Sequence, residues 1–303
     1  MKEKEISINE ICSFLDKIGI DYNYCGEKEN IIRGFASITN YKENCITWIK
    51  SEKNFPDIHS YPHVSLAIVS NKRNDIQNQI ICNNPKKVFF DIIDNFWGDK
   101  SFEYHIGHGT VIGEHVKLGK NVCIGCNCVI SGDIQIGDNC IIDHGVIIMN
   151  KVAIGEKTVI QSGSIIGYDG FAYSEDENGL KKMIKHYGGV TIGKNVFIGP
   201  NCLIDRGTID DTVIEDNCKI DGLCHISHNS CLGQGTVLIS GTRIFGSVKT
   251  GKNSYISSAI VKNQVKIGEN TVVGMGSVIT KDIDDDLIIF DKPEKIIKKN
   301  EGK

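Results

Sequence analysis

Two histidines, His225 and His228, are the side chains whose type and position best suit chemistry in this chain. They flank Ile226, an aliphatic residue of a sixfold repeat, one position before it and two positions after it. Because neither histidine occupies the aliphatic slot or the small-residue slot of the repeat, both are expected to project from the coil. Histidine accepts a proton near neutral pH, so the pair indicates general-base chemistry. The alternative is a hydrogen-bonded surface pair, and for His144 packing within the coil is favoured.

The element that must position these histidines is predicted to be a parallel β-helix. From residue 106 to residue 166 every sixth residue is Ile or Leu, a period that neither a helix nor an ordinary strand has. Each hexapeptide forms a short strand and a turn, and three of them make one coil. Ordinary alternating strands, the other interpretation, would need a period of two. The repeat gives about eight coils, through Ile106, Ile112, Leu118, Ile124, Ile130, Ile136, Ile142, Ile148, Ile154, Ile160, Ile166, Ile192, Ile198, Ile204, Ile214, Ile220, Ile226, Leu232, Leu238, Ile244, Ile256, Val261, Ile267, Val273 and Ile279.

The chain before the repeat has a different pattern. Ser7, with Glu10 three residues later, predicts a capping box that begins a helix, and Pro85 predicts the start of a second helix. Strand-like runs lie between them. The expected organisation is a small α/β domain over 1–103, a β-helix over 104–281 and a C-terminal tail over 282–303.

Two segments interrupt the repeat, and insertions in a solenoid are where binding loops are carried. Residues 168–189 are too polar and too rich in glycine to form a coil, and four extra residues lie between Ile204 and Ile214. The first insertion is predicted to bind a ligand; simple decoration of the surface is the alternative.

The composition favours a soluble cytoplasmic protein. A net charge of -4 and a pI of about 6.1 give no global reason to bind nucleic acid. The N-terminus lacks the apolar region of a signal peptide, and no segment is long enough to cross a bilayer.

The twelve cysteines need no metal. Cys123, Cys126 and Cys128 suggest a zinc site, but no second pair at zinc-finger spacing follows them. Reduced thiols and no metal are expected. Five cysteines fall four residues after an inward aliphatic, where Cys packs as a small hydrophobe: Cys128, Cys140, Cys202, Cys218 and Cys224.

Several segments carry a specific resemblance to one family. They are Asp169-Gly170-Phe171-Ala172-Tyr173, Gly188-Gly189-Val190 followed by Ile192-Gly193, Ile204-Asp205-Arg206-Gly207 with Asp210-Asp211-Thr212, and Ile226-Ser227-His228-Asn229, with GFASI, CITWI and NNPKKVFFDII nearer the N-terminus. In order and approximate spacing they resemble the LpxD family, which N-acylates UDP-linked 3-O-acylglucosamine in lipid A biosynthesis. The resemblance covers nearly the whole chain. It implies a left-handed solenoid, a nucleotide-binding N-terminal domain, and a homotrimer with active sites between subunits.

The resemblance also implies roles for individual residues. His228 corresponds to the catalytic base, and Asn229 and Asp221 are expected to orient its ring or the substrate amine. Further substrate contacts are expected from Asp169, Phe171, Tyr173 and His225. Gly241, Gly246 and Lys281 are the positions expected to bind the acyl donor, and the two glycines are also expected to offer backbone N–H groups to the oxyanion.

For the nucleotide, the resemblance implies stacking of the base on aromatic side chains of the N-terminal domain. The corresponding residues are Trp48 and Phe55, with Ser51 between them, although Trp48 reads equally well as a core residue. Arg206 is expected to meet the pyrophosphate or the phosphates of coenzyme A. The alternative is that it pairs with Asp205 or Asp210.

Two departures from the family bear on function. Asn263-Gln264 stands where the family has a second histidine in a Gly-His pair, and the chain ends in GMGSVITKD and Pro293-Glu294-Lys295, which resembles CoA-dependent hexapeptide acyltransferases. These features predict transfer from acyl-CoA, as a co-substrate with no permanently bound cofactor, to a nucleotide-linked amino sugar such as dTDP-4-amino-4,6-dideoxyglucose, for surface glycans. The alternatives are the lipid A enzyme using acyl carrier protein, a zinc-dependent γ-type carbonic anhydrase, and a non-catalytic structural trimer.

Overall fold

The computed structural model describes residues 4–49, 64–98 and 105–290. The chain divides into two compact units, Met1–Phe102 and Glu103–Lys303. Within the described ranges, no helix combines the length and the apolar character that a membrane span requires.

The described residues of the first unit form two α-helices and a five-stranded sheet. The sheet order is β2-β7-β6-β5-β4, in which β2 runs antiparallel to β7 and the other pairs are parallel. A separate antiparallel pair joins β1 to β3. The elements are β1 (Ile6–Ser7), α1 (Ile8–Lys17), β2 (Asn23–Cys25), β3 (Ile31–Ile32), β4 (Gly34–Phe35), a 3₁₀ helix (Ile38–Asn40), β5 (Cys45–Trp48), β6 (Leu66–Val69), β7 (Gln79–Ile81) and α2 (Pro85–Phe96).

Both helices begin where the sequence predicts. The Ser7 hydroxyl accepts a hydrogen bond from the Glu10 amide at 3.2 Å, and the Glu10 carboxylate accepts one from the Ser7 amide at 2.8 Å, which confirms the capping box. Pro85 is the first residue of α2, and the side chain of Asn84 caps it by accepting from the Lys87 amide. Helix α2 packs against β5 and β6.

The second unit is a parallel β-solenoid. One of its faces carries nine strands, and Ile106 extends this face by bridging to Ile124. Residues 105–290 of the solenoid therefore form ten levels along this face, against the eight or so that the aliphatic repeat suggests. The strands are β10 (Cys123–Ile124), β12 (Ile141–Ile142), β14 (Val159–Ile160), β19 (Phe197–Ile198), β22 (Lys219–Ile220), β25 (Val237–Ile239), β28 (Tyr255–Ser257), β31 (Val272–Val273) and β33 (Ile288–Ile289).

The remaining strands of the coils form one continuous sheet, because β11 and β13 each pair with strands of two columns. Its strands are β8 (Val111–Ile112), β9 (Val116–Leu118), β11 (Val129–Ile136), β13 (Ile147–Ile154), β15 (Ile165–Asp169), β18 (Val190–Ile192), β20 (Leu203–Arg206), β21 (Thr212–Ile214), β23 (His225–Ile226), β24 (Cys231–Leu232), β26 (Arg243–Ile244), β27 (Lys249–Thr250), β29 (Ile260–Val261), β30 (Lys266–Ile267) and β32 (Val278–Ile279).

The strand register shows where the coils depart from eighteen residues. Ile124 pairs with Ile142 in a regular coil, whereas Ile256 pairs with Val273 and Val273 with Ile289. These last coils are shorter, so the sixfold spacing is lost in the sequence although the solenoid continues. Strand β33 therefore lies beyond residue 281, where the repeat was expected to end.

Asparagine side chains support the corners of the coils. Asn121, Asn139, Asn195 and Asn217 all have φ between 54° and 63°, the left-handed conformation that Asn tolerates better than most residues. The amide of Asn195 donates to Asn217 on the next coil at 2.8 Å, and Asn121 donates to Asn139 at 3.2 Å. The corners are thus tied together by side-chain hydrogen bonds along the axis.

From Ile124 onward the interior of the solenoid contains the aliphatic residues of the repeat, as predicted, whereas Ile106 and Leu118 of the first coil are exposed. Ile130, Ile148, Ile204 and Ile226 have no accessible surface. The five cysteines expected in the small-residue slot are confirmed as buried.

Candidate functional site

The two insertions project from adjacent coils. Ile166 pairs with Ile204 and Ile204 pairs with Ile226, separations of 38 and 22 residues where a regular coil has 18. The first insertion contains an antiparallel hairpin, β16 (Tyr173–Glu175) and β17 (Lys181–Met183). Both insertions thus leave the same column of strands, β15, β20 and β23, that carries the two candidate histidines.

A cleft of about 420 Å³ lies where the first insertion meets this column. Its walls come from the insertion and from successive coils, and both candidate histidines line it. The lining residues are Phe171, Asp205, His225, Ser227, His228, Phe245, Gly246, Ser247, Asn263 and Gln264.

Asn229 fixes the protonation pattern of His228. The Asn229 Oδ1 accepts from the Thr208 amide at 3.2 Å, and its Nδ2 donates to the Asp210 carbonyl at 3.1 Å. Because a backbone N–H only donates and a backbone carbonyl only accepts, these two contacts determine which way the carboxamide points. Oδ1 can only accept, so the His228 Nδ1, 3.0 Å away, must carry a hydrogen. In the neutral ring this leaves Nε2 as an unprotonated acceptor, as a general base requires.

Two glycines and a further histidine enclose the His228 ring. A Cβ atom at Gly246 would lie 2.8 Å from Cε1 and 2.9 Å from Nε2 of His228, so only glycine permits this approach. A Cβ atom at Gly170 would lie 2.9 Å from Cδ2 on the other side. His186, from the first insertion, packs edge to face on His228 with ring centroids 5.6 Å apart. The imidazole is therefore confined between the insertion and the next coil, with Nε2 beside Gly246.

His225 has a different environment within the same cleft. Its Nε2 lies 3.1 Å from Oδ2 of Asp205 and 3.4 Å from the hydroxyl of Ser227. Asp205 is only 5% exposed, so its carboxylate has little contact with solvent and depends on this partner. His225 is thus tied to an acid, whereas His228 is tied to a neutral amide.

The structure gives Arg206 a role that differs from the expected one. The side chain is buried, its Nε donates to the Gly188 carbonyl at 2.6 Å, and its Nη1 lies 3.7 Å from the Asp169 carboxylate. Asp169 and Arg206 are direct neighbours in the register of β15 and β20. The two residues therefore lie against each other at the base of the insertion, and their expected contacts with the substrate stay a prediction.

Two of the aromatic residues expected to contact the substrate, Phe171 and Tyr173, lie on the first insertion. Phe171 is 86% exposed and lines the cleft, and its ring centroid is 4.7 Å from that of Tyr173. Trp48 is half-buried in β5 and packs against the core of the first unit, and its expected stacking on a nucleotide base stays a prediction. Ser51 and Phe55 lie outside the described residues.

Three other expected site residues do not line the cleft. Asp221 accepts from the Gly222 amide at 2.7 Å and from the Ser240 amide at 3.2 Å, so it stabilises a corner instead of orienting His228. Gly241 turns the next coil at φ 75°, and Lys281 is an exposed side chain after β32. Of the glycines proposed for the acyl donor, only Gly246 reaches the cleft.

Phe245 and Ser247 line the cleft without having been predicted, although the repeat contained the signal. They follow Ile244, on either side of the expected Gly246, as Ser227 and His228 follow Ile226 one coil earlier. The backbone confirms this stacking, since the Ser247 amide donates to the His228 carbonyl at 2.9 Å. His186 had no such signal, because it lies in an insertion without a repeat.

Two family models match the second unit. "Bacterial transferase hexapeptide (six repeats)" matches residues 133–168, and "Hexapeptide repeat of succinyl-transferase" matches residues 109–150, 189–222 and 251–281. Among solved structures, the UDP-N-acetylglucosamine acyltransferase of Campylobacter jejuni is 28% identical with a TM-score of 0.52, over 58% of this chain and 68% of that one. LpxA of Acinetobacter baumannii is 21% identical with a TM-score of 0.57, over 62% and 72%. The fold is therefore the left-handed β-helix of hexapeptide repeats.

Three curated relatives carry the same enzyme name. A UDP-3-O-acylglucosamine N-acyltransferase of Legionella pneumophila is 51% identical over 28% of this chain and 24% of its own length. The enzyme of that name from Delftia acidovorans is 37% identical over 39% of this chain and 36% of its own length. The one from Rickettsia massiliae is 48% identical over 29% of this chain and 25% of its own length. The matched segments thus span about a quarter to a third of these relatives.

These names agree with the expectation of an acyltransferase and correct the expected substrate. The sequence interpretation placed a dTDP-linked amino sugar and a CoA donor first, because of the C-terminal GMGSVITKD. The relatives are named for UDP-3-O-acylglucosamine, which was the alternative. The resemblance at the C-terminus was therefore a poor guide to the substrate.

Proposed function

We propose that this protein transfers an acyl group from a thioester to the amino group of a UDP-linked 3-O-acylglucosamine. The observation that carries the proposal is His228, whose Nδ1–H is fixed by Asn229 so that Nε2 is left free beside the cleft. The names of the relatives supply the substrate class.

The reaction assigns one proton path to His228. The neutral substrate amine attacks the thioester carbonyl, a C–N bond forms, and Nε2 of His228 takes the proton that the amine loses. The tetrahedral oxyanion then collapses, the C–S bond breaks, and His228 returns the proton to the departing thiolate. Amide and free thiol are the products. The Gly246 backbone, which lines the cleft beside Nε2, is the candidate source of an oxyanion donor.

The carrier of the acyl group is proposed to be acyl carrier protein, in line with the substrate class. A homotrimer is also proposed, because the cleft needs a second wall over Phe171, which is 86% exposed. Light scattering that shows only monomer at micromolar concentration would contradict the trimer.

Mass spectrometry of products tests the reaction directly. The protein is incubated with UDP-3-O-acylglucosamine and either an acyl carrier protein thioester or the matching acyl-CoA. The control substrate is the same sugar nucleotide with its amine already acetylated, which removes the nucleophile and nothing else. An acylated product from the free amine alone supports the proposal, and the better donor identifies the carrier. No product with either donor, or equal product from the blocked substrate, would refute N-acylation.

The variant His228→Ala tests the base. We expect kcat to fall by roughly 10²–10⁴, the usual contribution of a general base, while KM for the sugar nucleotide stays within a few-fold. If the variant keeps more than about a third of wild-type kcat with chemistry rate-limiting, His228 is not the base.

A further inference from the structure

His186 is a buried residue of the first insertion with an unusual hydrogen-bonding state. Only 1% of it is exposed, and its Nδ1 lies 2.9 Å from the Ile184 carbonyl. A carbonyl only accepts, so Nδ1 carries the hydrogen and Nε2 of the neutral ring is an acceptor. Among the described residues, that Nε2 has no hydrogen-bond partner, and it is shielded from solvent. A buried acceptor without a partner is costly, so its retention at this place calls for a reason.

The surroundings of the ring supply that reason. His186 and His228 meet at an interplanar angle of 84°, an edge-to-face packing of two aromatic rings. Gly170 lies between them: a Cβ atom there would come within 3.2 Å of His186 Nε2 and 2.9 Å of His228 Cδ2. Gly170, His186 and His228 are packed closely, so a larger side chain or a rotated ring at one position would displace another of the three residues.

The hydrogen bond to Ile184 explains why this wall is a histidine. It fixes the plane of the His186 ring relative to the end of the hairpin, and the ring plane in turn limits the rotation of His228. A Phe side chain would fill the same space but would leave the Ile184 carbonyl without its donor. Asn229 holds the His228 ring through one nitrogen, and His186 packs against the same ring from the insertion.

We propose that His186 is a positioning residue: its buried ring, anchored to the Ile184 carbonyl, holds the imidazole of His228 with Nε2 directed into the cleft. The proposal deepens the proposed function, since it concerns the base of that reaction. It assigns the first insertion a part in the chemistry, beyond covering the cleft.

Activity measurements with three variants form the first test. His186→Ala removes the wall, His186→Phe keeps the ring without its anchor, and His115→Ala is a control at an exposed histidine of the solenoid. We expect His186→Ala to lower kcat about tenfold or more with KM within about threefold, because misplacement of a base affects the transition state and not binding. His186→Phe should retain more activity than His186→Ala. A folded His186→Ala protein with kcat within twofold of wild type would overturn the proposal.

A second measurement needs no substrate, so it separates this proposal from the proposed function. Histidine ring nitrogens are labelled with ¹⁵N, and the His228 signals are identified by their loss in His228→Gln. We expect wild-type His228 to show a fixed Nδ1–H tautomer. In His186→Ala the ring can rotate away from Asn229 and lose the bond that fixes its tautomer, so we expect exchange between both tautomers. Identical His228 signals in the two proteins would overturn the positioning role, even if the enzyme acylates its substrate. Inactive wild-type protein with the expected signals would refute only the proposed function.

Discussion

Replacement of Asn229 by alanine isolates the effect of the tautomer from that of the base itself. In the native protein the Asn229 carboxamide accepts from His228 and from the Thr208 amide and hydroxyl, and donates to the Asp210 carbonyl. Its backbone has φ 60°, a conformation that costs Ala about 1–2 kcal/mol. Four lost hydrogen bonds at about 0.5–1.5 kcal/mol each give about 2–6 kcal/mol, so with the backbone cost we expect a loss of stability of at least about 3 kcal/mol.

The catalytic effect divides into two parts. Free choice of tautomer would cost only about twofold, since roughly half of the rings would still present an unprotonated Nε2. Loss of orientation costs more, because a displacement of about 1 Å at a reacting group reduces rates by up to about 10². We therefore expect Asn229→Ala to lower kcat by about 10–10², less than His228→Ala.

The assay is a double-mutant cycle on kcat, read as release of free thiol from the acyl donor. If Asn229 acts only through His228, the double variant is as slow as His228→Ala alone. Asn201→Ala is the matched control, since Asn201 has φ 55° at a corner that does not line the cleft. A double variant slower than His228→Ala by more than about threefold would show that Asn229 contacts the substrate directly, and the tautomer argument would be refuted.

Three further predictions concern packing, pH and thiols. Gly246→Ala should lower kcat about tenfold, because the added methyl group displaces the His228 ring. Gly113→Ala is the control, since a Cβ atom there meets nothing closer than 3.5 Å, and it should leave kcat unchanged. Equal effects of the two substitutions on kcat would contradict the steric clash at His228. Burial alone would raise the pKa of Asp211, but hydrogen bonds from Gly189, Thr191 and Lys151 lower it overall. A lowered pKa means that the ionised Asp211 carboxylate stabilises the folded protein; this stabilisation is present above the unfolded pKa of about 3.9 and is lost as pH falls through the folded-state pKa. Asp211→Asn should therefore lower the melting temperature at pH 7 and have less effect near pH 3. The same difference in melting temperature at both pH values would refute this. Burial raises the pKa of Cys218 to about 11, so Ellman's reagent should label it only after unfolding, as peptide mass spectrometry would show.

Much of the solenoid could be predicted from the sequence because one physical rule repeats along it. Each inward slot must be apolar, and this requirement fixes the face of every neighbouring residue. His225 and His228 were placed in one outward region on that rule, and both line the cleft. The rule weakened at the end of the chain, where coils shorten and Ile289 pairs with Val273 at a spacing of sixteen.

Pairing across coils was harder to predict than the direction of a side chain. Arg206 was expected to meet a phosphate or a nearby acid, Asp205 or Asp210, but its carboxylate partner is Asp169. The sequence separates these two residues by an insertion of uncertain path, so their register could not be counted. Asp221 is close to His228 in sequence, but it belongs to the corner after β22, where it accepts from backbone amides.

The cleft combines one part that the repeat dictates with one that it does not. The coil supplies His228, and Asn229 beside it sets the tautomer; both positions follow from the slot after Ile226. The wall at His186 comes from the first insertion, whose residues have no repeat to constrain them, so its contact with His228 could not be counted from the sequence. Because the residues of the aliphatic core lie in the coils, substitutions in the insertion can change how the base is held while the solenoid stays intact. The insertion is thus the part of this site where the chemistry is most open to change.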